Sequence, residues 1–369
     1  MKIAIIFHKV FTRFLSKFDP LKKLKIKITS VEKKIETIFN RIENQMITLN
    51  AIQSKLSLIN DQVSTKLTLI NEKVTKISII HIEDQKILLA KNLLIEQVKL
   101  KSKNIQDYEF KVFSQWGDDG IIQFLIRNTK ILNNNFIEFG VEDYSESNTR
   151  FLLMNNNWSG YIIDGSEKAV ASISKQPYFW KYDIRPVFAW ITKENINILL
   201  NKPNWQDIGI LSIDIDGNDY WIWKELDISK LRPTIVILEY NSVFGKEKAL
   251  TIPYKNEFYR TDAHFSNLYF GATLKALVEL SKEKGYIFVG SNSNGNNAYF
   301  VKKDRLNNSL LSVSAEGGYV ESKFRESRDK NGNLNFDRDK KRKEIINDLP
   351  VYNIETKKIE KLKSIKPSI

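Results

Sequence analysis

Cysteine is absent from the chain. That excludes a disulfide framework, a thiolate nucleophile and a cysteine-ligated zinc, and it permits a reducing compartment. No run approaches the roughly 18 apolar residues of a membrane span. The opening MKIAIIFHKVFTRFL has neither a sustained apolar core nor a small-residue cleavage site, so the expectation is a chain without a cleaved secretion signal, placed in the cytoplasm. The phosphate-cradling pattern G-x-G-x-x-G is also missing, which disfavours a pyrophosphate cofactor.

With 42% hydrophobic and 27% charged residues over 369 positions, the chain reads as soluble and globular, with one core domain and appendages. The net charge of +13 sits at the two ends. Residues 1–27 carry eight basic side chains against one acidic, and residues 302–369 carry 17 against 11, whereas residues 28–301 balance at 32 each. A neutral centre argues against a nucleic-acid groove. Basic ends fit contact with an anionic surface, such as a peripheral contact at the inner membrane face.

The stretch Asn135 to Gly165 organises the rest. An apolar run (Phe136, Ile137, Phe139) reaches Gly140. A polar loop, Glu142 to Ser147, leads to a helical pattern over Asn148–Met154 with Phe151, Leu152 and Leu153 as its buried face. A second apolar strand, Tyr161–Ile163, then ends on Asp164 and Gly165. Strand, glycine turn, helix and strand with a terminal acid form a βαβ nucleotide-binding unit, with an ordinary structural βαβ as the plain alternative. Gly140 allows a close backbone approach, and Asp164 can accept hydrogen bonds from both hydroxyls of a ribose. An adenosine without phosphates, as in S-adenosylmethionine, suits such a loop.

Before this unit, residues 2–18 place Ile3, Phe7, Val10, Phe11, Phe14 and Phe18 near one helix face, with Lys2, Lys9, Arg13 and Lys17 mostly on the other. This is a basic amphipathic segment for a membrane surface or a partner, or else a terminal helix packed on its own protein. Pro20 ends it. From Val31 to Ile80, steps of four and three land on apolar residues except at Gln45, Lys66 and Lys73, with no glycine or proline. Roughly seven heptads predict a coiled coil and hence a homo-oligomer, the alternative being a long helix folded back on the domain. The segment SQWGDDGIIQFLIRN follows. Its polar head could bring Gln115 or Asp118 to a ligand, or Ser114 or Asp118 could simply cap the helix.

After Gly165 the alternation continues. Tyr178–Tyr182 predicts a third strand ending near Asp183, and Thr192–Leu200 a helix capped by Thr192. Strands follow at Gly209–Ile213 and Thr234–Leu238 around a short helix, Tyr220–Leu226. Ala272–Lys284 predicts a helix closed by Gly285, and Tyr286–Val289 pairs with Ala298–Val301 through an Asn-Gly turn. The sum is a seven-stranded, mostly parallel α/β sheet, the Rossmann-like class I methyltransferase fold, preceded by a long coiled coil. The expected domains are a basic segment (1–27), a coiled coil (28–104), a methyltransferase-like domain (105–305) and a basic extension (306–369). For FRESRD (Phe324 to Asp329) the sequence offers no physical account.

Ligands in such sheets bind beyond the carboxyl ends of the strands. Those ends carry Glu138 and Gly140, Asp164, Asp183, then Asp214, Asp216 and Asp219, then Glu239 and Asn241. Clustered acids repel one another unless a cation, donors or a proton relieves them. One reading is Mg²⁺ held by Asp214, Asp219, Glu239 and Asn241, lowering the pKa of a substrate hydroxyl. The other is a metal-free base at Asp214 or Asp216, with Asp219 capping a helix. His264, in the loop YRTDAHFSNLYFG, is a further candidate base on a substrate lid, or a functionally neutral surface histidine.

The succession IEFG, YIIDGS, LSIDIDGND and ILEYN resembles the FkbM-type S-adenosylmethionine-dependent methyltransferases, particularly a bacterial branch opening with a SQWGxDG-like motif. The resemblance spans residues 108–305 and leaves the coiled coil outside it. It implies that Glu138 and Gly140 line the methionine part of the cofactor, that Asp164 binds ribose and that Asp183 lies near adenine. The chain departs from the family where IDIDG stands for IDVEG, and where Val141-Glu142-Asp143 follows Gly140 in place of a small residue and further glycines. The resemblance implies methylation of a hydroxyl on a sugar or surface-glycan precursor. A rival reading is a non-catalytic scaffold that organises a glycan-assembly complex through its coiled coil. A nucleic-acid methyltransferase is disfavoured by the neutral centre and by the lack of an NPPY-like or Pro-Cys motif.

Overall fold

The computed structural model describes residues 2–16, 19–324 and 326–365. The chain divides into two compact units, Met1–Ile79 and Ile80–Ile369.

In the first unit, helix α1 spans Lys2–Ser16 and helix α2 begins at Asp19, continuing to Lys99. The expected amphipathic residues Lys17 and Phe18 lie outside the described residues. Phe7, Val10 and Phe14 of α1 are exposed. Pro20 stands in the first turn of α2, where its missing N–H costs nothing. Serine and threonine hydroxyls along α2 donate to carbonyls four residues earlier, as Thr37 does to Lys33 at 2.7 Å, so they do not compete with the helix from outside. Ile35, Ile42, Leu49, Ile52, Leu56 and Ile59 are all exposed at heptad spacing, a seam that a single chain leaves bare. The helix ends at Lys99, short of the expected residue 104.

The second unit starts inside α2. Ala90 is buried. The Gln97 amide donates to the carbonyls of Tyr108 (2.7 Å) and Gly120 (2.8 Å), and its oxygen accepts from Arg127 (2.9 Å). Glu83 pairs with Arg150. The last turns of the helix therefore belong to this unit's fold. Then follow α3 (Asp118–Arg127), β1 (Asn133–Phe139), α4 (Arg150–Asn156), β2 (Ser159–Asp164), α5 (Glu167–Ile173), β3 (Ile184–Phe188) and α6 (Ile196–Asn201). The chain continues through β4 (Ile208–Ile213), α7 (Asp219–Glu225), α8 (Ile228–Leu231), β5 (Ile235–Glu239), β6 (Leu250–Thr251) and α9 (Arg260–Ala263). It closes with α10 (Leu274–Glu283), β7 (Tyr286–Ser291), β8 (Asn297–Lys302), α11 (Asp339–Ile345), β9 (Pro350–Asn353) and β10 (Lys358–Lys361).

Seven strands form one sheet in the order β3-β2-β1-β4-β5-β8-β7. The first five are parallel and β8 enters antiparallel between β5 and β7. This is the expected Rossmann-like α/β sheet with its terminal hairpin. Apolar side chains fill both faces: Ile137 and Phe139 of β1 join one core and Phe136 the other, so the inner strands read as apolar runs.

Three expectations about local structure need correction. The third strand is Ile184–Phe188, and residues 178–182 form turns before it. Pro186 masks it, yet proline is tolerated here because β3 is an edge strand. The helix expected from Thr192 begins at Ile196, because Thr192 and Asn195 bond each other's N–H groups in a turn ahead of it. Neither Ser114 nor Asp118 is the N-cap of α3, which is Gly117. Asp118 is instead buried against Asn292 (3.0 Å), Asn297 (2.9 Å) and the Tyr299 hydroxyl.

The tail is folded into the second unit. Strands β10, β9 and β6 make a small antiparallel sheet, and Ile346, Val351 and Leu362 share a buried cluster with Phe244, Leu250 and Phe270. Among the described residues, no helix is long and apolar enough to cross a membrane.

Candidate functional site

Strand order reverses between β1 and β4, and a cavity of about 720 Å³ opens beyond the carboxyl ends there. Its size falls within the range of ligand pockets. The wall carries eight carboxylates, Glu138, Glu142, Glu146, Asp164, Asp214, Asp216, Glu239 and Glu326, with Arg260 among them. Gln115 lines it as well.

At the end of β1, Glu138 is buried. One carboxylate oxygen accepts from the hydroxyls of Ser147 and Thr149, and the other accepts from the Asn148 N–H at 2.9 Å. Burial pushes this carboxyl up, against the pull of those donors. Glu138 thus ties the loop after β1 to the head of α4. Gly140 adopts φ +69°, and a Cβ there would lie 1.6 Å from the Asp214 carbonyl oxygen. The close approach that demands glycine is to the end of β4, in addition to any ligand.

Asp164, at the end of β2, is 8% exposed. Its two oxygens accept from the N–H groups of Glu142 and Ser166, both at 2.7 Å. The carboxylate is oriented by backbone and keeps free lone pairs toward the cavity it lines. Asp183 does not reach this place. Because β3 begins after it, Asp183 sits at the amino end of the strand, away from the carboxyl ends, paired with Arg185 at 3.2 Å. Trp190 occupies the position beyond the end of β3. Its ring packs on Gly165, lies 4.7 Å from the Tyr259 ring, and its Nε1 donates to the Asn256 carbonyl at 2.9 Å.

Asp214 and Glu239, from the ends of β4 and β5, and Asp219, from the first turn of α7, each bring a carboxylate oxygen within 4.8 Å of the other two. Asp219 accepts from the N–H groups of Ile215 and Gly217, both at 2.9 Å, which closes the turn after β4. Burial pushes the Asp219 carboxyl up to about 6. Burial, then the neighbouring acids, hold both Asp214 and Glu239 well above the carboxylate range. Asn241 is not part of this group. Its amide donates to the carbonyls of Leu268 (2.9 Å) and Phe270 (3.0 Å), and its oxygen accepts from the Val243 N–H (2.9 Å), so its polar atoms are committed to a loop.

Asp216 is exposed and paired with Arg260 at 2.8 Å. Arg260 also bonds Glu326 (3.1 Å) and the Asn267 carbonyl (2.6 Å), over the face of Phe270. His264 does not line the cavity. Its Nδ1 meets the Ser266 hydroxyl at 2.8 Å, and burial lowers its pKa.

Four cavity residues carried no usable signal in the sequence: Trp190, Arg260, Phe324 and Glu326. Glu326 is held between Arg260 and Arg342 (3.0 Å), and Phe324 stacks on Trp116. Both come from the unassigned FRESRD segment, whose Arg325 lies outside the described residues.

No protein-family model matches the chain, and no curated protein matches it. Among solved structures the chain is similar to M. capricolum TrmK in complex with S-adenosyl-homocysteine, at 13% identity and TM-score 0.30, over 53% of this chain and 74% of that one. It is similar to a S-adenosylmethionine-dependent methyltransferase from Clostridium acetobutylicum at 11% identity and TM-score 0.31, over 50% and 89%. A third is precorrin-6y C5,15-methyltransferase from Geobacter metallireducens, at 11% identity and TM-score 0.27, over 52% and 90%. At these scores the likenesses carry no argument about chemistry.

Proposed function

We propose that the chain is an S-adenosylmethionine-dependent methyltransferase of the FkbM type, acting on a hydroxyl of a sugar or surface-glycan precursor. The observation that carries this reading is Asp164. A backbone-oriented carboxylate ends β2 and faces a cavity beyond the reversal of strand order, where a ribose would be held by its two hydroxyls. The residues fit such a cofactor. An acid-rich wall suits a sulfonium and an ammonium, and the buried Asn297 Oδ1 on that wall lacks a donor. S-adenosylmethionine, when bound, supplies a methyl group activated by its positive sulfur.

The chain's own part is positioning. Glu138 fixes the loop that carries Glu142 to Ser147 along the cavity, and the broad Trp190 face supports the adenine side that Asp183 does not reach. Asp214, on the cavity wall, is placed to hold and orient an acceptor hydroxyl, while Asp216 is taken up by Arg260. Holding hydroxyl and methyl donor in line supplies most of the acceleration such a transfer needs. The same acid wall repels a phosphate backbone, which supports a small-molecule or glycan acceptor over nucleic acid. The α2 seam would join chains into a homo-oligomer, and the basic N-terminal end would hold the assembly at the cytoplasmic membrane face.

Calorimetric titration of the full chain with S-adenosylmethionine tests the reading. Saturable binding is expected. Asp164→Ala should weaken it by about 3 kcal/mol or more, roughly 150-fold or more, for the loss of two hydrogen bonds to a charged acceptor. No saturable binding by folded protein would overturn the methyltransferase reading in favour of the scaffold.

A further inference from the structure

The geometry points to a site for one hard divalent cation formed by Asp214, Asp219 and Glu239. Oxygens bound to Ca²⁺ at about 2.3–2.6 Å on opposite sides of the ion stand about 4.6–5.2 Å apart. The three carboxylates, each with an oxygen within 4.8 Å of the others, lie close enough together for one such ion to reach all three. Mg²⁺, at about 2.0–2.1 Å, asks for a tighter cluster, with oxygens no more than about 4.0–4.2 Å apart. All three donors are hard oxygens, and the chain has no cysteine to favour a softer metal.

Two orphaned acceptors point to a ligand independently of the cluster's charge. Glu239, only 7% exposed, keeps Oε2 buried with no hydrogen-bond partner. Asn218, also buried and on the same cavity wall, keeps Oδ1 without a partner while its Nδ2 donates to the Lys255 carbonyl at 2.8 Å. Two buried acceptors without donors are costly unless a cation or donor occupies the space beside them. Arg260 does not fill that need. Its Nη1, Nη2 and Nε are committed to Asp216, Glu326 and the Asn267 carbonyl.

The backbone N–H groups that hold Asp219 aim its carboxylate and leave a lone pair on each oxygen. Three protein ligands leave open positions facing the cavity. On the proposed methyltransferase reading, those positions would receive the acceptor hydroxyl and lower its pKa.

The test uses the full chain, freed of metal with EDTA and dialysed, titrated calorimetrically with CaCl₂, MgCl₂ and MnCl₂ in turn without cofactor, alongside thermal melts. One saturable equivalent per chain and a raised melting temperature are expected for at least one cation. Glu239→Gln and Asp214→Asn should each weaken binding by roughly tenfold or more. Each variant should melt, metal-free, no lower than the parent, because each relieves carboxylate repulsion. Absence of saturable heat with all three cations would overturn the site. So would binding left unchanged in both variants, since it would then belong to surface carboxylates. Titration with S-adenosylmethionine in EDTA separates the two ideas: cofactor binding there keeps the methyltransferase reading standing if the cation site fails.

Discussion

Gly140→Ala probes the contact on which the site depends, the crossing of the loop after β1 over the end of β4. Alanine at φ +69° costs about 1–2 kcal/mol in backbone strain. Its Cβ would also stand 1.6 Å from the Asp214 carbonyl oxygen. An ordinary contact needs about 3.4 Å, so loop and strand must part by nearly 2 Å, an overpacking cost of about 1–3 kcal/mol. Gly285→Ala isolates the first effect. Gly285 has φ +83° with no heavy atom within 4 Å of an added Cβ, so strain alone acts there. The difference between the two variants should be the overpacking alone, roughly 3–10 °C in melting temperature for a domain of this size. Calorimetric melts of both full-length variants measure it. Gly140→Ala should also weaken cation binding, because Asp214 moves, whereas Gly285→Ala should not. If the two variants melt together, the loop does not press on Asp214 and the packing argument for the site fails.

Burial pushes Asp119 up to about 6, so its contribution to stability is full below about pH 4 and lost as pH rises through 6. The melting temperature of Asp119→Asn, compared with the parent, should therefore move in the variant's favour between pH 4 and 7.5, by the equivalent of up to about 3 kcal/mol, and a flat difference would refute it. For the α2 seam, sedimentation of the full chain should give more than one chain per particle. Replacing Ile52 and Ile59 by lysine should dissociate it, and a monomeric parent would refute the coiled coil.

The inner strands were legible because a strand covered on both faces must be apolar at nearly every position, as in Ile208–Ile213. Strand β3 was not. An edge strand tolerates Arg185 and Pro186, so it carries no apolar run, and the neighbouring aromatic stretch from Tyr178 took its place in the reading. That shift misplaced Asp183 by the full length of a strand and hid Trp190. Acids at strand ends were legible in type and position, yet their use was not. Asn241 and Glu239 are two residues apart, and only the carbonyls of Leu268 and Phe270 decide that one is consumed by a loop. Arg260 and Glu326 meet across 66 positions, a pairing no local pattern encodes.

Charge counting along the tail misled in the same way. Residues 302–369 carry a surplus of basic side chains, which reads as a surface for anions. Yet Arg342 is buried, its guanidinium committed to Glu326, Glu321 and the Ser322 carbonyl. Lys275 and Lys248, from the domain body, converge on Glu355 of the tail. Part of the tail's charge is thus internal, holding Phe324 and Glu326 against the cavity. Exposed basic side chains are also found in α1 and at the start of α2, where Lys9, Lys22, Lys23, Lys25 and Lys27 are exposed, as are the apolar Phe7 and Phe14. The C-terminal end, which its charge alone presents as a free surface, instead brings Phe324 and Glu326 to the cavity wall.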